Sequence, residues 1–182
     1  MTTAQVENTI PTGVWKSDPV HSDVGFLVKH MVVATFRGAF TDFDITLANE
    51  DGEPRIYGAA RVESVDVRDE TQRGHLLSPD FFDVERNPEI TFTSTAIRFD
   101  GDDLIVDGEL TIKGTTRPVE ARGTIVGPVA HPVGGERIGI DLETTVDRRD
   151  FGLNWNAELP KGGVMVEDAV TLTIHLELAK EE

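Results

Sequence analysis

The feature that most restricts the fold is a two-residue apolar period that returns in segment after segment of the 182-residue chain. In "HSDVGFLVKH", residues 21–30, Val24, Phe26, Val28 and His30 share one parity, and Asp23, Gly25, Leu27 and Lys29 the other. In "DDLIVDGELTIKG", Leu104, Val106, Gly108, Leu110 and Ile112 oppose Asp107, Glu109, Thr111 and Lys113. In "RIGIDLETTVDRRD", Ile138, Ile140, Leu142, Thr144 and Val146 oppose Asp141, Glu143 and Asp147, and Val164, Val166, Val170, Leu172, Ile174, Leu176 and Leu178 keep one phase to the end. Such alternation describes strands with one dry and one wet face. The segments are separated by the turn signals "NEDGEP", "DGDD", "KGTTRP" and "VGGE". From Trp15 onward the chain therefore reads as an all-β antiparallel meander of about eight strands.

A meander of this size closes into a barrel or packs as a two-sheet sandwich. The dry faces carry Gly58, Ala60, Ser64, Ser94, Ala96, Gly108, Ala121 and Gly123. Small inward residues favour a barrel with an internal cavity; the competing reading is that the glycines mark bends and bulges. In "FRGAFTDFDITL" the apolar phase switches between Phe36/Phe40 and Phe43/Ile45/Leu47. A bulge or sharp bend near Thr41 and Asp42 would reconcile the two, and a turn separating two strands is the rival. One helical insertion is expected near residues 69–84: Asp69 followed by Gln72 resembles a capping box, and Ser78-Pro79 resembles a second helix start. Residues 1–11 read as a flexible tail and 12–182 as one domain, large enough to bury roughly 70% of its unfolded surface.

Charge excludes some partners. There are 17 Lys and Arg against 33 Asp and Glu, a net charge of −16, and such a surface repels nucleic acid and anionic membranes. The chain has no cysteine, so disulfides and thiolate metal sites are ruled out. "MTTAQVENTIPTG" has no basic start followed by an apolar run, and no stretch is long enough for a membrane helix. The expectation is a cytoplasmic protein that is not integral to a membrane.

Four stretches, "WKSDPVHSDVGFLVKHMVVATFRGAF", "HLLSPDFFDVERNPEITFTS", "VDGELTIKGTTRPVE" and "RRDFGLNW", stand in an order and spacing that resemble the YceI-like, or polyisoprenoid-binding, family. The resemblance runs from Trp15 to about Leu178. It implies an elongated, lipocalin-like barrel with a short helical segment, holding a long apolar molecule such as a polyisoprenoid, fatty acid or fatty amide, and it suggests a homodimer. Many relatives are periplasmic and carry a signal peptide, which is not expected for this chain. The family supplies no catalytic residues, and no cofactor is expected.

Parity selects Phe26, Val28, Phe36, Phe40, Phe92, Gly108, Leu110, Ile112, Ile140, Leu172 and Ile174 as the wall of an apolar tunnel, or else as an ordinary core. Where the dry face ends, Arg148 and Asp150 could hold a head group or simply finish the barrel end, and Phe151, Leu153 and Trp155 could form an apolar lip or a packed loop. The five histidines show neither His-x-His nor HExxH spacing, so no metal site is expected. His175 reads as solvated, and His21 and His75 as boundary residues. His30 points inward, as a core residue, a head-group contact or, least of all, a metal ligand. The leading functional reading is binding, storage or transport of a long apolar molecule without catalysis. Two others stay open: an enzyme acting on a lipid, with His30, Arg148, Asp150 and Asp168 as the inward acid and base candidates, and a structural protein with a filled barrel.

Overall fold

The alternating segments form eleven strands in a computed structural model whose described residues are 8–182. They are β1 (Gly13–Ser17), β2 (Asp23–His30), β3 (Ala34–Phe40), β4 (Phe43–Asn49), β5 (Arg55–Arg61), β6 (Val65–Asp66), β7 (Glu89–Asp100), β8 (Asp103–Ile112), β9 (Thr115–Ala130), β10 (Glu136–Asp147) and β11 (Val166–Lys180), with one α-helix, α1 (Glu70–Leu77), and two short 3₁₀ turns, Val62–Ser64 and Arg148–Phe151, among the described residues. Residues 1–7 of the expected tail lie outside the described residues.

Eight strands close a ring in the order β1-β4-β5-β7-β8-β9-β10-β11, sealed by Trp15↔Lys180 and Ser17↔Leu178. The other three extend it at one end. β2 continues β1 along the same edge of β11, from Asp23↔His175 to His30↔Val166. β3 pairs with β2 while β4 pairs with β1, and β6 pairs with β3 while β5 pairs with β4. Three members of the barrel are thus each broken into two segments. Beyond β6 the pairing to β7 stops, and α1 with the turns after it fills the gap: the Arg73 side chain donates to the Val65 carbonyl at 3.1 Å on one side, and Lys113 Nζ to the Pro79 carbonyl at 2.7 Å on the other.

The phase switch at Thr41 and Asp42 is a bend between β3 and β4. The Asp42 N–H donates to Ser64 Oγ at 3.0 Å and the Thr41 N–H to the Ser64 carbonyl at 3.3 Å. The bend turns the chain over by one residue, so Phe40 and Phe43, of opposite parity, are both buried. Asp69 caps α1, accepting from the Gln72 N–H at 2.9 Å. Ser78 starts no second helix. It ends the first, its hydroxyl donating to the His75 carbonyl at 2.7 Å, and residues 79–88 continue as turns. The last strand begins at Val166 rather than Val164, which instead forms an isolated bridge with Glu158.

The core has two halves. Trp15, Leu47, Leu104, Val106, Ile138, Ile140 and Leu178 fill the end where β1 and β11 seal the ring. Phe26, Phe40, Phe43, Val62, Val65, Phe81, Phe82, Leu110, Ile112, Phe151 and Leu153 form the other half, under α1. The small residues do not open a cavity. A Cβ at Gly58 would meet the backbone of Asp44 and Ile45, and one at Gly123 the Asp141 carbonyl, so these glycines mark close approach of neighbouring strands. Gly108 lies beneath the Phe92 ring, and Gly38 beneath that of Phe26. Ser94 Oγ accepts from the Ile56 N–H at 2.9 Å. Ala96, expected inside, is exposed, because a register shift after Ser94 hands the inward positions to Ile97 and Phe99. None of the described helices is long and apolar enough to cross a membrane.

Candidate ligand-binding site

The half of the barrel under α1 encloses a cavity of about 230 Å³. Alternation supplies its walls: Phe26, Val28 and His30 from β2, Phe36 and Phe40 from β3, Ile112 from β8, Val146 from β10, and Val170 and Leu172 from β11. The register places Val28 beside Val170 and Phe26 beside Leu172. The aromatic side chains form a chain of contacts, with ring centroids 6.2 Å apart for Phe26–Phe36, 5.9 Å for Phe26–Phe40 and 5.8 Å for Phe40–Phe82. Leu76, Phe81 and Phe82 roof it from the helical side, and Phe151, Leu153 and Trp155 from the opposite side. His75 joins the two roofs: its ring meets Trp155 edge to face at 4.6 Å and Phe81 at 5.0 Å, while Nε2 is 3.0 Å from Asp80. Lys29 and Gln72, both exposed, mark where the cavity reaches solvent.

Arg148 builds this end of the barrel. β11 carries two extra residues between Val166 and Val170 where it pairs with β2, a bulge that takes backbone carbonyls out of the ladder. The guanidinium is 5% exposed and reaches those carbonyls: Nε donates to Glu167 O at 2.9 Å and one terminal nitrogen to Val166 O at 3.2 Å and Asp168 Oδ1 at 3.4 Å. The other terminal nitrogen donates to Leu153 O at 2.6 Å and Trp155 O at 2.8 Å. All five N–H groups of an arginine are thereby used. Burial draws the guanidinium below its ordinary range, opposed by the Asp168 and Asp147 carboxylates. Asn156 completes the fixture by copying a strand partner, donating to Val166 O at 2.7 Å and accepting from the Val166 N–H at 3.0 Å. Gly152, at φ 76°, supplies the left-handed turn that sends the chain from the short 3₁₀ helix at Arg148–Phe151 into the roof.

These positions divide the residues expected from the sequence. Phe26, Val28, Phe36, Phe40, Ile112, Leu172, His30, Arg148, Phe151, Leu153 and Trp155 line the cavity. Ile140 belongs to the filled half, with Ile174 and Phe92 packed against it, and Gly108 is covered by Phe92. Leu110 is buried in the core behind the cavity. Phe151 and Leu153 are buried walls and not an exposed lip. The donors of Arg148 are committed to the protein, leaving none for a head group. Asp150 is exposed outside the cavity, its carbonyl accepting from Arg117 Nε at 3.1 Å. Asp168 sits in the bulge, shared by Arg148 and Arg149. Among the described residues, no carboxylate lines the cavity. Reading the sequence by strand parity missed Gln72, His75, Leu76, Phe81 and Phe82, because they come from the helix and turns; the apolar Phe81-Phe82 pair was the one available signal.

A family model for the YceI-like domain matches residues 15–178. The chain belongs to the YceI-like family. Among YceI-like relatives, Protein YceI of Escherichia coli O17:K52:H18 is 34% identical over 136 residues, covering 73% of this chain and 71% of that protein. The crystal structure of Burkholderia cenocepacia BcnA matches the fold with a TM-score of 0.75 at 26% identity, over 88% of this chain and 98% of that one. A polyisoprenoid binding domain from Saccharophagus degradans matches with a TM-score of 0.68 over 94% of this chain and 100% of that one. At 12% identity this last likeness is one of fold alone. The YceI-like barrel is thus all-β, antiparallel and lipocalin-like, with one short helix.

Proposed function

We propose that the chain binds a long-chain apolar molecule, a polyisoprenoid or fatty acyl compound, and stores or carries it without transforming it. The observation that carries this reading is the cavity of about 230 Å³ with walls of Phe, Val, Leu and Ile, reaching solvent beside Lys29 and Gln72. Each methylene buried there contributes about 0.8 kcal/mol. The volume lies just below the usual range of roughly 300–1,000 Å³ for ligand pockets, so a long chain would extend from the opening. That a domain of the same fold is a polyisoprenoid binding domain supports the ligand class.

Catalysis gains little support from the geometry. Of the four acid and base candidates, Asp150 and Asp168 lie outside the cavity and Arg148 is fully bonded, which leaves His30 without a partner group. A filled structural barrel accounts for one half of the interior and not for the other.

Mass spectrometry of an organic extract of the gently purified protein should release a long apolar compound, and the emptied protein should take up fatty acids. From butyric to dodecanoic acid, affinity should rise about fourfold per methylene until the cavity is filled, and level off for longer chains. Equal affinity for short and long chains, or uptake of neither fatty acids nor isoprenoid alcohols, would overturn the proposal.

A further inference from the structure

The turn between β2 and β3 is Met31-Val32-Val33, and these residues are 41%, 62% and 86% exposed. Met31 has φ 51° and Val32 φ 67°. A β-branched residue enters this left-handed region only under strain, and Gly, Asn or Asp are its usual occupants in a hairpin turn. Neither burial nor turn chemistry accounts for three apolar side chains here. A second hairpin tip stands alongside. The Met165 N–H donates to the Ala157 carbonyl at 2.9 Å, Glu158 bridges Val164, and the Leu159 N–H donates to Gly163 at 3.0 Å, presenting half-buried Leu159 and exposed Pro160 and Lys161. The tips adjoin through the Met31 N–H, which donates to the Met165 carbonyl at 2.8 Å, and Lys29, His30 and Met165 also line the cavity.

The lysines select the partner. Of five, Lys16 and Lys180 pair with Glu181 and Glu136, and Lys113 holds the Pro79 carbonyl. Lys29 and Lys161, the two without such a partner among the described residues, both stand at this rim, in a chain of net charge −16. We infer that the rim docks on a lipid bilayer, with Val32, Val33 and Pro160 below the head groups and the two ammonium groups at the level of the lipid phosphates. Apolar points flanked by two lysines, with the exposed Glu158 set back at the base of the second hairpin, match that interface, where long cationic side chains keep their heads in the polar layer. Two protruding tips would need a matching groove on any protein partner, and a fluid surface needs none. The net negative charge makes a zwitterionic bilayer the fitting surface. Docked in this way, the cavity opening faces the medium that holds long apolar molecules; only this use of the docking rests on the proposed function.

Flotation of the full chain with phosphatidylcholine vesicles tests the inference without added ligand, so its failure would leave the ligand-binding reading standing. The unmodified chain should float with the vesicles. The double variant Val32→Asp, Val33→Asp should lose at least tenfold in vesicle-bound fraction, and Lys29→Glu with Lys161→Glu severalfold. Val133→Asp, at a residue 87% exposed in the turn at the opposite end of the barrel, should float as the unmodified chain does. If the aspartate variant loses its near-ultraviolet dichroism, the pair Val32→Gly, Val33→Ser, which relieves the left-handed strain, should show the same loss. An unmodified chain that stays in the soluble fraction overturns the inference, as does an equal loss for Val133→Asp. So does a dimer, seen by sedimentation, that the Val32/Val33 variant dissociates, because the tips would then cover each other.

Discussion

The ring of Phe92 on β7 lies over Gly108 on β8, so one large side chain occupies the space of two. A methyl group at Gly108 would meet both that ring and the Thr93 carbonyl, so the ring and the β7 backbone must both shift to admit it. Gly108→Ala should therefore lower stability by about 1–3 kcal/mol in urea unfolding while leaving lipid affinity unchanged, since the position lies outside the cavity. Phe92→Leu in the same chain should recover part of the loss, and strictly additive effects of the two substitutions would contradict the contact.

Arg148→Lys tests the fixture at the barrel end. A lysine offers three donors at one point and cannot span the carbonyls of Leu153, Trp155, Val166 and Glu167. Leaving these groups unpaired in a buried place should cost about 3 kcal/mol or more. Denaturant unfolding reads this directly; full stability with weakened lipid binding would instead make Arg148 a ligand contact.

The two tryptophans report on opposite ends. Trp15 is 1% exposed in the filled half, its Nε1 donating to Thr12 O at 3.2 Å, while Trp155 lines the cavity. Palmitic acid should change the emission of Trp155 alone. Trp155→Phe should abolish the change and Trp15→Phe should preserve it; the reverse result would place the ligand at the other end.

Two ion pairs give stability opposite dependences on pH. Arg149 donates to Asp147 at 3.0 and 2.6 Å, and these side-chain hydrogen bonds, helped by the Arg149 N–H, hold the Asp147 carboxyl at about 2 against an ordinary 3.8. The contribution of that pair is complete above the ordinary value and disappears as pH falls toward 2. The Asp18 carboxylate, by its hydrogen bond, and then the Glu177 charge raise His21 above an ordinary 6.5. That contribution is complete below the ordinary value and disappears as pH rises through the raised one. Carboxyl resonances should return Asp147 toward its ordinary value in Arg149→Gln, and the melting-temperature advantage of the unmodified chain over His21→Gln should shrink between mildly acidic and alkaline pH.

Alternation reveals which way a strand residue faces, but not how far along the barrel it sits. Val28 and Ile140 are both inward by parity, yet the first borders the cavity and the second is packed beneath Trp15 and Leu178. The difference arises because β11 pairs with β1 at one end and, across a bulge, with β2 at the other, a register that no local pattern encodes. The bend between Phe40 and Phe43 and the Asp69 cap were legible because each depends on neighbours in sequence. The glycines misled because an absent side chain leaves space that a neighbouring ring or backbone can occupy, as at Gly108 and Gly123. Arg148 was legible as inward, but its carbonyl partners, drawn from the roof and the β11 bulge, were not.

The seam at Trp15↔Lys180 joins the first strand to the last, which gives the order of synthesis a bearing on folding. While the chain is being made, β1 can already pair with β4, yet its other edge has no partner until β11 leaves the ribosome, so the filled end of the barrel is completed last. Until then the edges of β1, β2 and β10 are all open, and Trp15 waits for Leu178 to cover it. A growing chain of this topology is therefore most exposed to misassembly just before it is finished, and a ribosome-stalled chain lacking only the last strand should be far more readily cleaved by protease than the whole one.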